Sequence, residues 1–329
     1  MRTVLKWAAA LFALLAAGLL ALWLLGPYER VDTAIAFDPA TMPDDLDGWL
    51  ADMEAQVPGL DPAAAKRILW AGVPGERTDL SIVYLHGFSA THWELRPVPD
   101  RLGEALDANV FLTRLTGHGR DGAALAEATA GDWLEDVAQA MAVGRALGDR
   151  VVVMGTSTGG TLAAILAADP ALAEQREALA GVILVSPNFA VSNPAAELLT
   201  LPAARSWLPL VAGETRGFDP RNQRHARHWT TEYPTVALLP MAALLDHAER
   251  LDFGAADAPA LFWFSPADRV VEPRATEEVA AEWGGPTEIA RVRLPAGDDP
   301  SSHVIAGDIL SPSATPGTIA AMTNWLRGL

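Results

Sequence analysis

Short apolar runs recur along most of the chain, separated by polar turn residues. Each run has about four to seven residues, is mostly apolar and ends near Gly, Pro, Asp or Asn, which is typical of strands buried in a sheet. The predicted strands are Lys66–Trp70, Leu80–Leu85, Asn109–Leu115, Val151–Met154, Val182–Val185, Ala260–Phe264 and Ile289–Leu294.

Longer stretches between most of these runs carry apolar residues at helical spacing. The predicted helices are Trp93–Leu106, Trp133–Leu147, Thr158–Ala168, Thr276–Trp283 and Gly317–Leu326. Alternation of buried strands with helices predicts an α/β fold, in which a mostly parallel sheet is covered by helices on both faces. We assign residues 63–329 to this domain.

One long segment interrupts the alternation. Residues 189–253 contain no pattern typical of a strand, but they contain three helical pieces, Ala195–Leu201, Arg221–Trp229 and Thr235–Leu251. An insertion of this length between two core strands predicts a helical cap, which we place at about residues 190–254.

The N-terminus carries an apolar run from Trp7 to Leu25, preceded by Arg2 and Lys6 and closed by Gly26-Pro27. About 19 helical residues span about 28 Å, close to the hydrocarbon thickness of a bilayer. We therefore predict that residues 1–26 form an uncleaved, single-pass signal anchor. The positive-inside rule then places everything after Pro27 on the periplasmic side of a bacterial inner membrane.

Two other interpretations of this run stay open. A cleaved signal peptide would leave a secreted protein, although the nearest small-x-small site, Ala34-Ile35-Ala36, lies rather far downstream. A buried core helix is the other interpretation. Residues 27–62, which follow, are acidic and rich in Pro, and the helical spacing within Asp44–Val57 predicts a helix that packs on the domain surface.

Charge and composition narrow the classes of partner. Charged residues make up 20% of the chain and the formal net charge is -17, which argues against nucleic acid and anionic headgroups as partners because both would be repelled. The chain has no cysteine, so disulfides, thiolate catalysis and cysteine-bound metals are excluded. The oligomeric state stays open.

The segment Gly155-Thr156-Ser157-Thr158-Gly159 lies between a predicted strand and a predicted helix. A sharp strand-to-helix turn lifts a serine hydroxyl above the edge of a sheet, and glycines on both sides leave room for the crowded backbone. The turn also leaves the Thr158 N–H unpaired at a helix start, where it can stabilise an anion. This setting predicts that Ser157 is a nucleophile.

A serine nucleophile needs a base, and the chain has seven histidines. In a fold that carries its nucleophilic serine on such a strand-to-helix turn, the order along the chain is serine, then acid, then histidine. His303, on the loop after the last predicted strand, satisfies this order. The others precede Ser157 or fall in the predicted cap: His86, His92, His118, His225, His228 and His247.

The acid that orients the histidine should follow a strand between Ser157 and His303. Asp268 satisfies this condition because it comes directly after Ala260–Phe264. Three other carboxylates remain alternatives on sequence grounds: Glu272, Asp298 and Asp299. The last two are better explained as residues that shape the histidine loop.

The segment His86-Gly87-Phe88 ends the predicted strand Leu80–Leu85. A glycine there lets backbone approach a reacting carbon, so the Phe88 N–H is predicted to stabilise an oxyanion together with the Thr158 N–H. His86 is interpreted as structural. The turn Gly117-His118-Gly119 is expected near the mouth of the site, with no catalytic role for His118.

These motifs together resemble the α/β-hydrolase superfamily, in particular its bacterial carboxylesterase and monoacylglycerol-lipase-like branch. The resemblance spans about residues 65–329 and rests on five segments: His86-Gly87-Phe88, Gly117-His118-Gly119, Gly155 to Gly159, Asp268-Arg269-Val270-Val271 and Ser302-His303. It implies a triad of Ser157, Asp268 and His303 beneath a helical cap. The apolar N-terminus and the acidic segment before the first strand depart from the family pattern.

The predicted function is hydrolysis of small acyl esters through an acyl-Ser157 intermediate, with neither a metal nor an organic cofactor. The predicted cap is rich in Leu and Trp, which favours an acyl chain as part of the substrate. A basic group within it is either a solvated helix face or a contact for a lysophospholipid phosphate: Arg221, Arg224, His225, Arg227 and His228. The alternatives are a lysophospholipase or monoacylglycerol lipase, hydrolysis of a peptide, thioester or carbon–carbon bond, and a non-catalytic, membrane-tethered scaffold.

Overall fold

A central sheet of seven strands organises the computed structural model, which describes residues 2–329. The strands along the described chain are β1 (Arg67–Leu69), β2 (Thr78–Leu85), β3 (Asn109–Leu112), β4 (Gly148–Thr156), β5 (Leu179–Val185), β6 (Thr215–Gly217), β7 (Glu232–Pro234), β8 (Ala260–Phe264) and β9 (Thr287–Arg291). The order in the central sheet is β1-β3-β2-β4-β5-β8-β9. β1 pairs antiparallel with β3, and the other pairs are parallel.

Helices cover both faces of this sheet. Their bounds are α1 (Arg2–Leu25), α2 (Leu46–Ala55), α3 (Val98–Leu106), α4 (Gly122–Glu127), α5 (Ala130–Leu147), α6 (Thr158–Ala168), α7 (Ala204–Ala212), α8 (Gln223–His228), α9 (Leu238–Glu249), α10 (Pro273–Glu282) and α11 (Thr315–Leu326). Successive side chains of a strand point to opposite faces. In β2, Ile82 and Tyr84 accordingly pack with α3 and α11, whereas Val83 and Leu85 pack with α5 and α6.

The predicted α/β fold with a mostly parallel sheet is confirmed. The last strand is displaced toward the N-terminus, and it runs over Thr287–Arg291 rather than the predicted Ile289–Leu294. β9 is an edge strand with mostly exposed side chains, so pairing of Ala260 with Thr287, and not apolar content, fixes where it begins. α3 begins at Val98, later than predicted, and follows Pro97, whose ring would clash inside a helix.

The insertion between β5 and β8 contains α7, α8, α9 and a small antiparallel sheet of β6 and β7. The prediction that residues 189–253 contain no strand is therefore wrong. These two strands have three residues each, include Gly217 and Pro234, and are largely exposed, so they carry no periodic apolar pattern. α7 was not predicted either. It has Pro209 inside it and begins at Ala204 without a side-chain cap.

The acidic segment before β1 is tied to the core by a buried ion pair. Leu46 and Leu50 of α2 join the same core cluster as α5 and α6. Glu54 accepts two hydrogen bonds of 2.7 Å from the Arg114 guanidinium, in a bidentate arrangement, and a third of 3.0 Å from the Lys66 N–H. These bonds compensate the loss of hydration that burial of both charges costs.

α1 is the one described helix that is long and apolar enough to cross a membrane, and none of its residues is buried. The chain after it contacts the insertion. Pro27 O accepts a hydrogen bond of 2.7 Å from Ala203 N, and Glu29 accepts two hydrogen bonds from Arg205. The start of α7 is therefore joined to the end of α1.

Candidate active site

Ser157 lies at a sharp turn between β4 and α6. Its backbone has φ 53° and ψ -118°, a conformation that a residue with a side chain adopts only when its surroundings hold it there. Two glycines make the turn possible. A Cβ on Gly155 would overlap the backbone of Gly159, and a Cβ on Gly159 would overlap the carbonyl of Leu85. Ser157 therefore stands at the carboxyl end of β4, where the motif predicts it.

The start of α6 offers an N–H to an anion. Thr158 is the first residue of this helix, and the first four N–H groups of a helix have no intrahelical acceptor. The Ser157 side chain makes no capping hydrogen bond to them. The positive end of the helix dipole adds to the attraction. A negative charge that develops beside Ser157 would consequently be stabilised here.

The loop after β2 lies directly against Ser157. A Cβ placed on Gly87 would be 3.1 Å from Ser157 Cβ, so the loop backbone and the serine turn are in contact. Phe88, the predicted second N–H donor, is the next residue. Its ring packs edge-on against Tyr233 of β7, with centroids 5.2 Å apart, and against Trp133 of α5, at 6.3 Å. Contacts with both the sheet domain and the insertion thus fix the Phe88 side chain.

Two buried histidines hold the same loop. His86 Nε2 accepts a hydrogen bond of 3.1 Å from Leu115 N, and His118 Nε2 accepts one of 3.0 Å from Ser89 N. The other ring nitrogen of each faces a backbone carbonyl. Burial lowers the pKa of His118 to about 4 and lowers the pKa of His86 well below its ordinary value. Both rings are therefore neutral at pH 7 and act as fixed acceptors.

His303 and Asp268 form a buried hydrogen-bonded pair. His303 Nδ1 lies 2.8 Å from Asp268 Oδ2, and Asp268 Oδ1 accepts hydrogen bonds from Val270 N at 2.8 Å and Val271 N at 3.1 Å. Burial disfavours the charged imidazole, but the hydrogen bond and charge of Asp268, with smaller contributions from Glu94 and Asp299, raise the pKa of His303. An aspartate held in this way fixes the tautomer that leaves Nε2 free to accept a proton.

The three alternative carboxylates accept hydrogen bonds from backbone N–H groups instead. Glu272 accepts from Arg274 N at the start of α10, and Asp298 accepts from Ser313 N and Ala314 N. Asp299 accepts from the backbone N–H groups of Ser301, His303 and Val304. Asp299 thereby shapes the loop that carries His303, whereas the structure brings only Asp268 of these four to the imidazole nitrogen.

Glu94 is a buried acid beside the site that the sequence interpretation missed. Its Oε2 accepts a hydrogen bond of 2.6 Å from Gly87 N and lies 3.4 Å from the Tyr84 hydroxyl. Burial raises the pKa of Glu94 to about 7, although the Gly87 N–H, the charge of His303 and the Tyr84 hydroxyl act in the opposite direction. A single glutamate in an amphipathic stretch resembles any surface glutamate, so no local pattern distinguishes it.

No group of three or more His, Asp or Glu side chains within residues 2–329 has the arrangement of a metal site. The groups that the structure brings together at this site are a hydroxyl, an imidazole and carboxylates, beside backbone N–H groups.

A family model for the alpha/beta hydrolase family matches residues 82–308, which is more than half of the chain. The chain belongs to the alpha/beta hydrolase family. Among curated proteins it is similar to the thermostable monoacylglycerol lipase of Bacillus sp. (strain H-257), with 25% identity over 199 residues, 60% of this chain and 74% of that protein.

Solved structures of lipolytic enzymes share the fold. One, from work on the metagenome-derived lipolytic enzymes LipS and LipT, has a TM-score of 0.62 at 20% identity and covers 82% of this chain and 100% of its own. A soluble variant of monoglyceride lipase from Saccharomyces cerevisiae, in complex with a substrate analogue, has a TM-score of 0.58 at 11% identity, over 80% and 90% of the two chains. At these identities the likeness shows the fold alone.

Proposed function

We propose that the protein is a serine carboxylic-ester hydrolase with a triad of Ser157, Asp268 and His303. The observation that carries this proposal is the 2.8 Å pair of His303 Nδ1 and Asp268 Oδ2, in a chain whose strained turn presents Ser157. A base oriented by a buried carboxylate is what a serine hydroxyl requires to become a nucleophile.

Acylation begins with attack of Ser157 Oγ on the carbonyl carbon of the ester. His303 Nε2 takes the hydroxyl proton, and the carbonyl oxygen becomes an oxyanion that accepts hydrogen bonds from Phe88 N and Thr158 N. The intermediate then collapses to the acyl-serine, and His303 returns its proton to the departing alcohol oxygen. Water repeats these steps on the acyl-serine and releases the carboxylic acid.

The exposed apolar end of the cap favours a lipid substrate. Its buried apolar residues are mainly its own core: Leu199, Ala204, Leu208, Leu239 and Ala242. Leu210 and Val211, at the far end of α7, are instead 85% and 68% exposed. The start of α7 contacts the chain that follows α1, so these side chains are close to the membrane if α1 spans it. Two relatives are named as lipases for monoacylglycerol or monoglyceride. We therefore favour a monoacylglycerol.

A lysophospholipid is the second candidate, because of the basic residues on α8. Two of these residues add little free positive charge. Arg227 pairs with Asp61 at 3.3 Å, and His228 stacks on Trp93 with centroids 4.8 Å apart. Burial is the largest cause of the lowered pKa of His228, about 4, so this ring is neutral at pH 7. This arrangement favours an uncharged headgroup over a phosphate.

A substrate panel tests the proposal. The full chain in detergent is given a nitrophenyl ester, a monoacylglycerol and a lysophospholipid of one acyl length, with a matched thioester and anilide. We expect turnover of the first two, and a kcat/KM for the lysophospholipid that is about tenfold lower, as expected for one poorly matched polar group. Hydrolysis of the thioester or anilide without ester hydrolysis would identify a different bond. A chain inert to every substrate and to a fluorophosphonate probe would indicate a scaffold.

We further propose that α1 is an uncleaved membrane anchor with the domain outside the cytoplasm. Cleavage after Ala36 would remove Pro27 and Glu29, which contact Ala203 and Arg205. Removal of residues 1–26 should therefore move the protein from the membrane fraction to the soluble fraction. A C-terminal reporter that is active only outside the cytoplasm should be active on the full chain. A soluble mature protein that begins near residue 37 would establish cleavage instead.

A further inference from the structure

Glu94 is the one acid beside Ser157 and His303 to which the mechanism above assigns no role. It ends a short helical turn, His92–Glu94, seven residues after Gly87, and only 2% of its surface is exposed. A carboxyl group loses several kcal/mol of hydration on burial unless other groups compensate it. Its position at this site therefore needs a specific explanation.

Gly87 gives the Glu94 carboxylate access to Ser157. A Cβ on Gly87 would lie 2.8 Å from Glu94 Oε1, 3.1 Å from Glu94 Oε2 and 3.1 Å from Ser157 Cβ. The carboxylate and the serine side chain consequently converge on the space that the missing side chain of Gly87 leaves. The 2.6 Å hydrogen bond from Gly87 N to Glu94 Oε2 fixes the peptide that precedes Phe88.

The same carboxylate acts on His303 through its charge. Three acids raise the pKa of His303: Asp268, which is hydrogen-bonded to the imidazole, and Glu94 and Asp299, which act on it through their charges alone. In return, the charge of His303 lowers the pKa of Glu94, whose other titratable neighbour is Tyr84. An interaction of this kind is reciprocal, so ionised Glu94 stabilises the imidazolium that forms during each acyl transfer.

We propose that Glu94 is a positioning residue for ester hydrolysis, which orients the loop that carries the Phe88 N–H and supports protonated His303 electrostatically. This inference rests on the proposed esterase function. The two roles depend on different properties of Glu94. Orienting the loop requires an oxygen that accepts a hydrogen bond from Gly87 N, whereas supporting protonated His303 requires a negative charge.

The pH profile separates this role from simple packing. Ionised Glu94 raises the pKa of His303, and the pKa of Glu94 itself, about 7, lies in the range where activity rises with pH. Without the charge, His303 loses its proton at lower pH, and the ionisation of Glu94 disappears from the profile. Both effects move the acid limb of kcat/KM in the same direction, toward lower pH.

The main test is Glu94→Gln in the full chain. The amide is nearly the same size and keeps an oxygen for Gly87 N, but it carries no charge. We expect the acid limb to move down by roughly one pH unit, and kcat at high pH to fall by about three- to tenfold, as one unit of lost interaction with the imidazolium allows. KM should change by less than about twofold, because the substrate is not bound by Glu94.

Two further variants serve as controls. Glu94→Asp keeps the charge but shortens the reach to Gly87, so kcat should fall while the acid limb stays within about 0.3 pH units of wild type. Glu104→Gln removes an exposed charge from α3, where Glu104 pairs with Arg101, and should leave the profile unchanged. Thermal melting tests whether each variant is folded. If Glu94→Gln is unfolded, the kcat of Glu94→Asp is compared with that of Glu104→Gln, and equal values would contradict the proposal.

An unmoved acid limb in Glu94→Gln would overturn the electrostatic role, and an unmoved kcat in Glu94→Asp would overturn the role in orienting the loop. A limb in Glu94→Asp that moves as far as that of Glu94→Gln would also contradict the proposal, because the charge would then not be its cause. Failure of the esterase function is a separate result, since the wild-type chain would then show no ester turnover to compare.

Discussion

Replacing Ser157 with alanine is expected to lower kcat for ester hydrolysis by roughly 10⁶-fold, the usual cost of removing a triad serine. The substitution deletes the only atom that forms the acyl-enzyme bond. It should not unfold the turn, because φ 53° is imposed by the tight contacts around Gly155 and Gly159, and alanine carries the same Cβ as serine. The proposed oxyanion donors, Phe88 N and Thr158 N, would remain, so a residual rate about 10³-fold above that in water is expected.

Fluorophosphonate labelling and single-turnover hydrolysis measure this effect directly. Ser157→Ala should take up no probe and release no alcohol burst. Ser186→Ala is a matched control. Ser186 is also buried, has φ 42° and follows β5, the neighbour of β4, and its hydroxyl has no hydrogen-bond partner among residues 2–329. This control should label at the wild-type rate. Normal labelling of Ser157→Ala would show that another residue is the nucleophile.

The strands whose side chains are buried on both faces of the sheet were predictable from the sequence. β8 has the predicted bounds, Ala260–Phe264, because a central strand must be apolar on both faces and is closed by turn residues. The same holds for α6, which begins directly after Ser157. The edge strand β9 and the strands β6 and β7 are mostly exposed, and backbone pairing alone places them. A pattern of side chains carries little information about such strands.

Chain order predicts which residues should lie near Ser157. Parallel strands bring their carboxyl ends to one edge of a sheet, so residues after β4 and β8 are expected near each other. Asp268 was separated from its alternatives only by the structure, in which Asp298 and Asp299 bond to backbone N–H groups. Glu94 could not be found in this way. Its place at the site depends on a hydrogen bond with Gly87 that the tertiary fold creates, and no spacing or motif in the sequence indicates this bond.

Asp268→Asn is expected to lower kcat by roughly 10⁴-fold with little change in fold. The amide can still bond to His303 Nδ1, but it can do so by donating, which leaves the proton on Nε2 and removes the base. It also removes the negative charge that raises the pKa of His303. Any residual activity should therefore have its acid limb at lower pH than wild type. Steady-state kinetics between about pH 5 and 9 on a nitrophenyl ester would measure both effects.

Asp299→Asn distinguishes the orienting acid from a loop-shaping one. Asp299 Oδ2 accepts from His303 N at 3.0 Å and Val304 N at 3.1 Å, and the asparagine side-chain oxygen can keep both of these bonds while the bond from Ser301 N to Oδ1 is lost. The variant should therefore lose up to about 2 kcal/mol of stability but less than about 100-fold in kcat. A roughly 10⁴-fold loss of kcat in Asp299→Asn, together with an active Asp268→Asn, would instead identify Asp299 as the orienting acid. The 2.8 Å bond from Asp268 to the imidazole argues for the opposite order, because only a group in contact with Nδ1 can select the tautomer.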